Sequence, residues 1–491
     1  MLFNSFEFIF IFFPIFIFLY YNKTITCSTG SIYFLVITFS LFFYSYNNLF
    51  FLFLILGSIS FNYFCIIKMI DFKENFQIKK KIFIFALFNN ILILILFKYT
   101  NFLVLNYNLI FSSNHQLFNL VFPLGLSFYT LQQITILFDA YEGKIKSLKI
   151  LKYASFVTFF PQLIAGPILT YDQFYKKIGN RKNHNIKIEN FYVGIFIFII
   201  GLSKKILIAD SLGKYSVIGF QSFFEQMSFF DAWLTSLSFT LQIYFDFSGY
   251  SDMAVGLALI LNIKFINNFN SPYKSTSIID FWHRWHISLS NFINIYIFSN
   301  IIKSFKNINN YSLCISLTLT MIIAGIWHGP TWGYVAFGLI HGLALSINHL
   351  WRNNIKAKLP PILAWFVTFN IVNISLVFFR SENLSVSLKI LEGMYNFNYL
   401  YISIKKILLN LNSFDQIFDQ NDKIFGEIYS NLDFIYCSLL ILISGILIFF
   451  FKNSSQFNIK DLNTKKLFFL SICLFFDLCL LNNKIFLYFG F

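Results

Sequence analysis

The sequence predicts an all-α, polytopic membrane protein with roughly ten to twelve transmembrane helices and added re-entrant or interfacial helices. Three observations carry that prediction. Hydrophobic residues fill 57% of the 491 positions and charged residues only 12%, more apolar surface than a water-soluble chain can hide. Apolar runs close to the ~20 residues needed to cross a hydrocarbon core recur from end to end. Basic residues gather in particular loops instead of spreading evenly.

Taken in order, the expected spans are 6–21, 31–45, 47–66, 82–98, 118–138, 191–209, 231–245, 253–266, 311–327, 332–350, 362–379, 432–451 and 467–483. The first follows no basic residue, Lys23 being the earliest, and no small-residue cleavage site comes after it. It is therefore read as a retained span and not as a signal peptide. The chain is expected to be one multi-pass membrane domain over 1–491. Plain helices fill 1–110, most of the interrupted, polar-bearing segments fall in 120–350, and 351–491 returns to plainer spans.

The formal charge of +15 raises nucleic-acid binding, and its placement argues against it. Lys68, Lys73, Lys79, Lys80 and Lys81 share one loop region, Lys144, Lys146, Lys149 and Lys152 a second, and Lys176, Lys177, Arg181, Lys182 and Lys187 a third. By contrast, 99–117 has no Lys or Arg, and 415–427 carries Asp415, Asp419, Asp422 and Glu427. Such asymmetry is the positive-inside pattern, which puts the Lys-rich loops in the cytoplasm and the other two segments outside. Lys204 and Lys205 do not fit it, and charge placement alone gives no account of them. The six cysteines lack metal-type spacing and are expected to be buried structural thiols.

Ionisable groups at membrane depth are costly and point to function. Asp246 and Asp252 sit in "YFDFSGYSDMAVG", either as a polar turn whose side chains satisfy freed backbone groups or as the lining of a substrate path. Four of the seven histidines fall between 283 and 341. His283 and His286, three apart in "DFWHRWHISLSNF", would share one face of a helix. That stretch is open to three readings: an interfacial helix with Trp282 and Trp285 at headgroup depth, an active-site role for His286, or a metal site, for which no third ligand is at hand. His341, in an apolar helix, reads as a core histidine bonded across helices. His328 is followed by Gly329 and Pro330, which end the helix and present its ring at a break, with Trp327 and Trp332 to exclude water. A neutral imidazole so placed suits a general base. No nucleophile elbow, phosphate loop or zincin motif occurs.

Seven stretches then occur in a telling order: "PLGLSFYTLQQ", "FFPQLIAGPI", "GLSKKILIADSLG", "YFDFSGYSDMAVGLALILNIKFINNFNSPY", "FWHRWHISLS", "GIWHG" and a final "FLYFGF". Together they resemble the membrane-bound O-acyltransferase (MBOAT) family, in the bacterial branch of alginate O-acetylation proteins, peptidoglycan O-acetyltransferases and the teichoic-acid D-alanyl transfer protein. The resemblance implies a ring of transmembrane helices around a central tunnel, with His328 as the catalytic histidine and His286 as the second active-site position. Asp246, Asp252, His283 and Trp327 are then substrate-path candidates, with no metal and no bound cofactor. It implies acetyl-CoA as acyl donor on the cytoplasmic side. The acceptor would be a polysaccharide or an extracytoplasmic acetyltransferase or esterase-like partner, and the protein would sit in the bacterial inner membrane. Where the family usually continues with a Trp-x-Arg-Asp segment and a Gly-rich turn, this chain has "NFINIYIFSN" (291–300). D-alanyl transfer, a proton-coupled transporter or flippase and a non-catalytic scaffold are the rival readings.

Overall fold

A computed structural model describes residues 1–178, 185–222, 227–410, 428–457, 464–481 and 486–487. The acidic segment 415–427, Arg181 and Lys182, and tail residues 488–491 lie outside the described residues. Every regular element among the described residues is helical, the arrangement that satisfies backbone hydrogen bonds within each segment where water is scarce. Seven of these helices are long and apolar enough to cross a membrane: Phe50–Asp71, Phe76–Phe111, Ile188–Gln221, Asn310–His328, Trp332–Ile355, Pro361–Arg380 and Asn431–Phe450. Shorter apolar helices run over Phe8–Tyr21 and Thr29–Ser45. The boundaries expected at 311–327, 332–350 and 362–379 lie within one or two residues of those observed.

One expected break between spans is absent. The polar stretch around 246–252 is not a turn between two spans, because Phe229–Ile260 is a single helix of 32 residues. Its two aspartates are met by side chains from elsewhere, Asp246 by Lys205 and Asp252 by Ser454, and the helix runs on without a break.

The chain sorts into two compact units, one of residues 1–202, 250–267 and 454–491, the other of 203–249 and 268–453. In the first, a Phe cluster forms the interior: Phe160 sets its ring edge-on to Phe12 and Phe16, 5.5 and 5.1 Å between centroids. Beside it lies a wholly buried amide network. Asn62 Nδ2 donates to Gln133 Oε1 at 2.6 Å and to Asn90 Oδ1 at 3.2 Å, and Asn90 Nδ2 donates back to Asn62 Oδ1 at 2.7 Å. Gln133 Nε2 donates to Ser58 Oγ, and the Tyr153 hydroxyl to Gln133 Oε1. Four helices are thereby tied by uncharged groups, the usual glue between helices in an apolar medium. Lysines of the basic clusters lie on tyrosines: Lys79 lies over the Tyr141 ring, 6.0 Å from its centroid, and Lys152 donates to the Tyr175 hydroxyl at 2.5 Å.

In the second unit, Asn310–His328 packs antiparallel on Trp332–Leu350. A methyl group on Gly338 would stand 2.3 Å from the Met321 carbonyl oxygen, so only glycine permits this approach, the small-residue contact typical of membrane helix pairs. Ile188–Gln221 carries a π-helical turn at Lys204–Ala209.

Candidate active site

The first helix of that pair starts from a reciprocal cap. Asn309 Oδ1 accepts from the Ser312 amide at 2.8 Å, and Ser312 Oγ accepts from the Asn309 amide at 2.9 Å. Nineteen residues later the helix ends on His328, because Gly329 is extended and Pro330 cannot continue it. Gly329 lies flat against the Tyr334 ring, where an added methyl would approach to 2.1 Å. His328 is 5% exposed. Trp327, Phe337 and Phe379 set their rings around it at centroid distances of 5.0, 5.9 and 5.2 Å. Trp332, expected to help exclude water, is instead 55% exposed. It opens the next helix and points outward, and Phe337 and Phe379 take its place.

His286 is reached by a different route. The helix Ile278–Arg284 stops, Trp285 is extended, and His286 adopts φ 41°, ψ 56° before Ile287–Phe292 begins. The left-handed region is unusual for a residue with a side chain and is retained where surroundings enforce it. Here Asn268 does so: its carbonyl accepts from the Ile287 amide at 2.9 Å and its Oδ1 from the Ser288 amide at 3.2 Å. These are first-turn amides that the short helix cannot satisfy itself. The His286 ring is 0% exposed and meets Phe247 edge-on at 4.6 Å. Burial pushes its imidazole down to about 3, so it is neutral across the neutral range. The break also separates His283 from His286: His283 is exposed and His286 buried. The shared helix face and the interfacial-helix reading both fail, since Trp282 and Trp285 are 8% and 6% exposed within the protein.

His341 joins these parts. Trp282 Nε1 donates to its Nδ1 at 3.2 Å, which leaves the proton on Nε2, and Nε2 lies 2.9 Å from Ser375 Oγ. The Ser375 hydroxyl in turn donates to the Val372 carbonyl. Every polar atom of the ring is used, as expected for a core histidine. His341 also meets edge-on Phe337, the residue touching His328, and stacks against Phe281, which stacks on Trp285. Trp285 meets Phe269, and Phe269 meets Phe247 beside His286. One continuous aromatic cluster thus holds both candidate catalytic rings.

Comparison with known proteins places this arrangement. Residues 139–388 match the family described as MBOAT, membrane-bound O-acyltransferase family. The chain belongs to the membrane-bound O-acyltransferase family. As an MBOAT protein it is an acyltransferase and a multi-pass membrane protein, which displaces the transporter and scaffold readings. It is 38% identical over 485 residues to a protein of Helicobacter pylori named "Peptidoglycan O-acetyltransferase", covering 92% of this chain and 90% of the other. A Pseudomonas aeruginosa protein named "Probable alginate O-acetylase AlgI" is 35% identical over 418 residues, 82% of this chain and 76% of that one. A Bacillus subtilis "Teichoic acid D-alanyltransferase" is 30% identical over 273 residues, covering 53% and 69%.

Within this MBOAT chain, Asp246 and Asp252 do not act as a pair. Six residues apart on one helix, they point about 120° away from each other. Asp252 accepts from Ser454 Oγ at 2.6 Å. Asp246 meets Lys205, whose Nζ donates to Asp246 Oδ1 at 2.7 Å and to Asp210 Oδ1 at 2.8 Å. Lys205, only 2% exposed, therefore has an electrostatic reason for its place: it neutralises buried acid, and the positive-inside rule does not apply to it. The segment 291–300, where the family's usual pattern is missing, is helical, with a π-helical stretch over Ile293–Phe298. Sequence reading missed Asn268, Phe337 and Phe379. None is a titratable group, and of the three only Asn268 lies within a stretch that carries the family resemblance, "YFDFSGYSDMAVGLALILNIKFINNFNSPY".

Proposed function

We propose that the protein moves an acetyl group from a cytoplasmic thioester, acetyl-CoA, to a hydroxyl presented at the outer side of a bacterial inner membrane. The product would be an O-acetylated cell-wall polysaccharide, with peptidoglycan as the leading polymer. Similarity to a protein named as a peptidoglycan O-acetyltransferase over nine-tenths of both chains supports this choice. The D-alanyltransferase relatives align with only about half of the chain. The acceptor is either the polymer or an extracytoplasmic partner enzyme that completes the transfer.

The observation that carries the reading is His328 at a helix end, buried by three aromatic rings. In the proposed step its imidazole takes the proton of the acceptor hydroxyl while that oxygen attacks the thioester carbonyl. The carbon–sulfur bond breaks, the ester forms, and the imidazolium returns the proton to the thiolate. General-base assistance of this kind is worth roughly two to four orders of magnitude. His286, neutral and rigidly seated, donates a hydrogen bond to the developing oxyanion. The test is release of CoA thiol from acetyl-CoA by purified protein in nanodiscs, wild type against His328→Ala, with acceptor or partner supplied. Release lost in a folded variant supports the mechanism, and equal release from both proteins rejects it.

A further inference from the structure

We infer that Arg380 forms an anion-holding subsite for the acceptor, which would therefore be a sugar carrying a carboxylate near its reacting hydroxyl. The inference rests on His328 as the reacting centre. Arg380 is the last residue of Pro361–Arg380, and its neighbour Phe379 packs on both His328 and Tyr334, at 5.2 and 4.8 Å. One residue further back, the Phe378 carbonyl oxygen lies against Gly333, where an added methyl would come within 2.3 Å. The end of Pro361–Arg380 thus packs against the end of the helix that presents His328.

A guanidinium is always charged and offers five donors in a planar fork that matches a carboxylate. The Nε of Arg380 is buried without a hydrogen-bond partner, and no ion pair to the guanidinium is found among the described residues. It lies over the Phe220 ring, 5.6 Å from the centroid, a platform that holds the cation in place without consuming a donor. The Tyr334 phenol and the Glu382 carboxylate are its electrostatic neighbours. A buried guanidinium N–H is ordinarily paired, so the Arg380 Nε–H is left for a group that arrives with the substrate. The side from which it arrives follows from the chain's charge. Arg352, Lys356 and Lys358 lie at the opposite end of the same helix pair, before Pro361, and such a basic loop belongs to the cytoplasm. Arg380 then faces outward, towards the polymer, and not towards the phosphates of a cytoplasmic donor.

The test measures binding and turnover of the disaccharide N-acetylglucosaminyl-N-acetylmuramic acid and of its methyl ester, by full-length protein in nanodiscs. Wild type is expected to bind the free acid about ten- to a hundredfold better than the ester, the size of a charge-assisted hydrogen bond. Arg380→Gln should erase that ratio and Arg380→Lys restore part of it, while the ratio of KM for acetyl-CoA to that for acetylpantetheine stays unchanged. His328→Ala should keep the acid-over-ester binding ratio, which separates this subsite from the proposed chemistry. The inference is overturned if wild type shows no preference for the acid, if the preference survives in Arg380→Gln, or if that variant instead loses discrimination between the two donors.

Discussion

The two compact units differ in the polar groups at their centres. In residues 1–202 with 250–267 and 454–491, the central network is made of neutral side chains, Asn62, Asn90, Gln133, Ser58 and Tyr153, which satisfy one another across four helices. In residues 203–249 and 268–453 lie a buried Lys205 between two carboxylates, two buried imidazoles with catalytic candidacy, and a guanidinium whose buried Nε has no partner among the described residues. The second unit also holds a histidine in left-handed backbone. Neutral amides lock helices at little electrostatic cost. Charges and strained backbone in an apolar interior are retained where they serve a site. The first unit therefore reads as frame, and the second as the part that carries the chemistry.

The largest expected effect breaks the charged cluster. Lys205→Met leaves Asp246 and Asp210 facing each other without a counter-charge, and should cost about 3–5 kcal/mol of stability. Lys205→Met combined with Asp246→Asn and Asp210→Asn should recover much of it. Thermal unfolding in detergent measures both, and a single variant as stable as wild type would show that the cluster does not need its cation. Next, His286→Ala should lower kcat about a hundredfold in the protein that remains folded. Because the imidazole lies near pKa 3, it is already deprotonated throughout the working range. His286→Asn should therefore leave the midpoint of the acid limb of the pH–rate profile where it was, whereas a displaced midpoint would mean that His286 titrates in turnover.

The comparison is sharpened from the other side by Asn62→Ala. It strands the Gln133 and Asn90 amides and should destabilise by roughly 1–3 kcal/mol, with kcat in the surviving folded protein unchanged. A selective loss of kcat would give the first unit a share in the chemistry. The smallest effect is expected from Ser454→Ala, which removes one hydrogen bond to Asp252 and should cost about 1 kcal/mol, read as a modest shift in unfolding temperature.

By itself the sequence determined the class of molecule, because apolar composition and helix-length runs leave helices spanning lipid as the solution. It also singled out His328, since a histidine followed by Gly-Pro must sit at a helix end wherever the helix lies. Local signals misled where partners are distant. The polar stretch at 246–252 looked like a turn, and only Lys205, 41 residues away, and Ser454, 202 residues away, let it remain helix. His283 and His286 looked like one helical face until Asn268 supplied the external acceptors that stabilise a break between them. Likewise the aromatic enclosure of His328 comes from Phe337 and Phe379 and not from the nearby Trp332. Chain-local propensities report on hydrogen bonds and bulk within a few residues. Which buried charge is neutralised, which amide is capped and which ring shields the reacting histidine depend on groups brought together from far apart in the chain, and that only the tertiary structure decided.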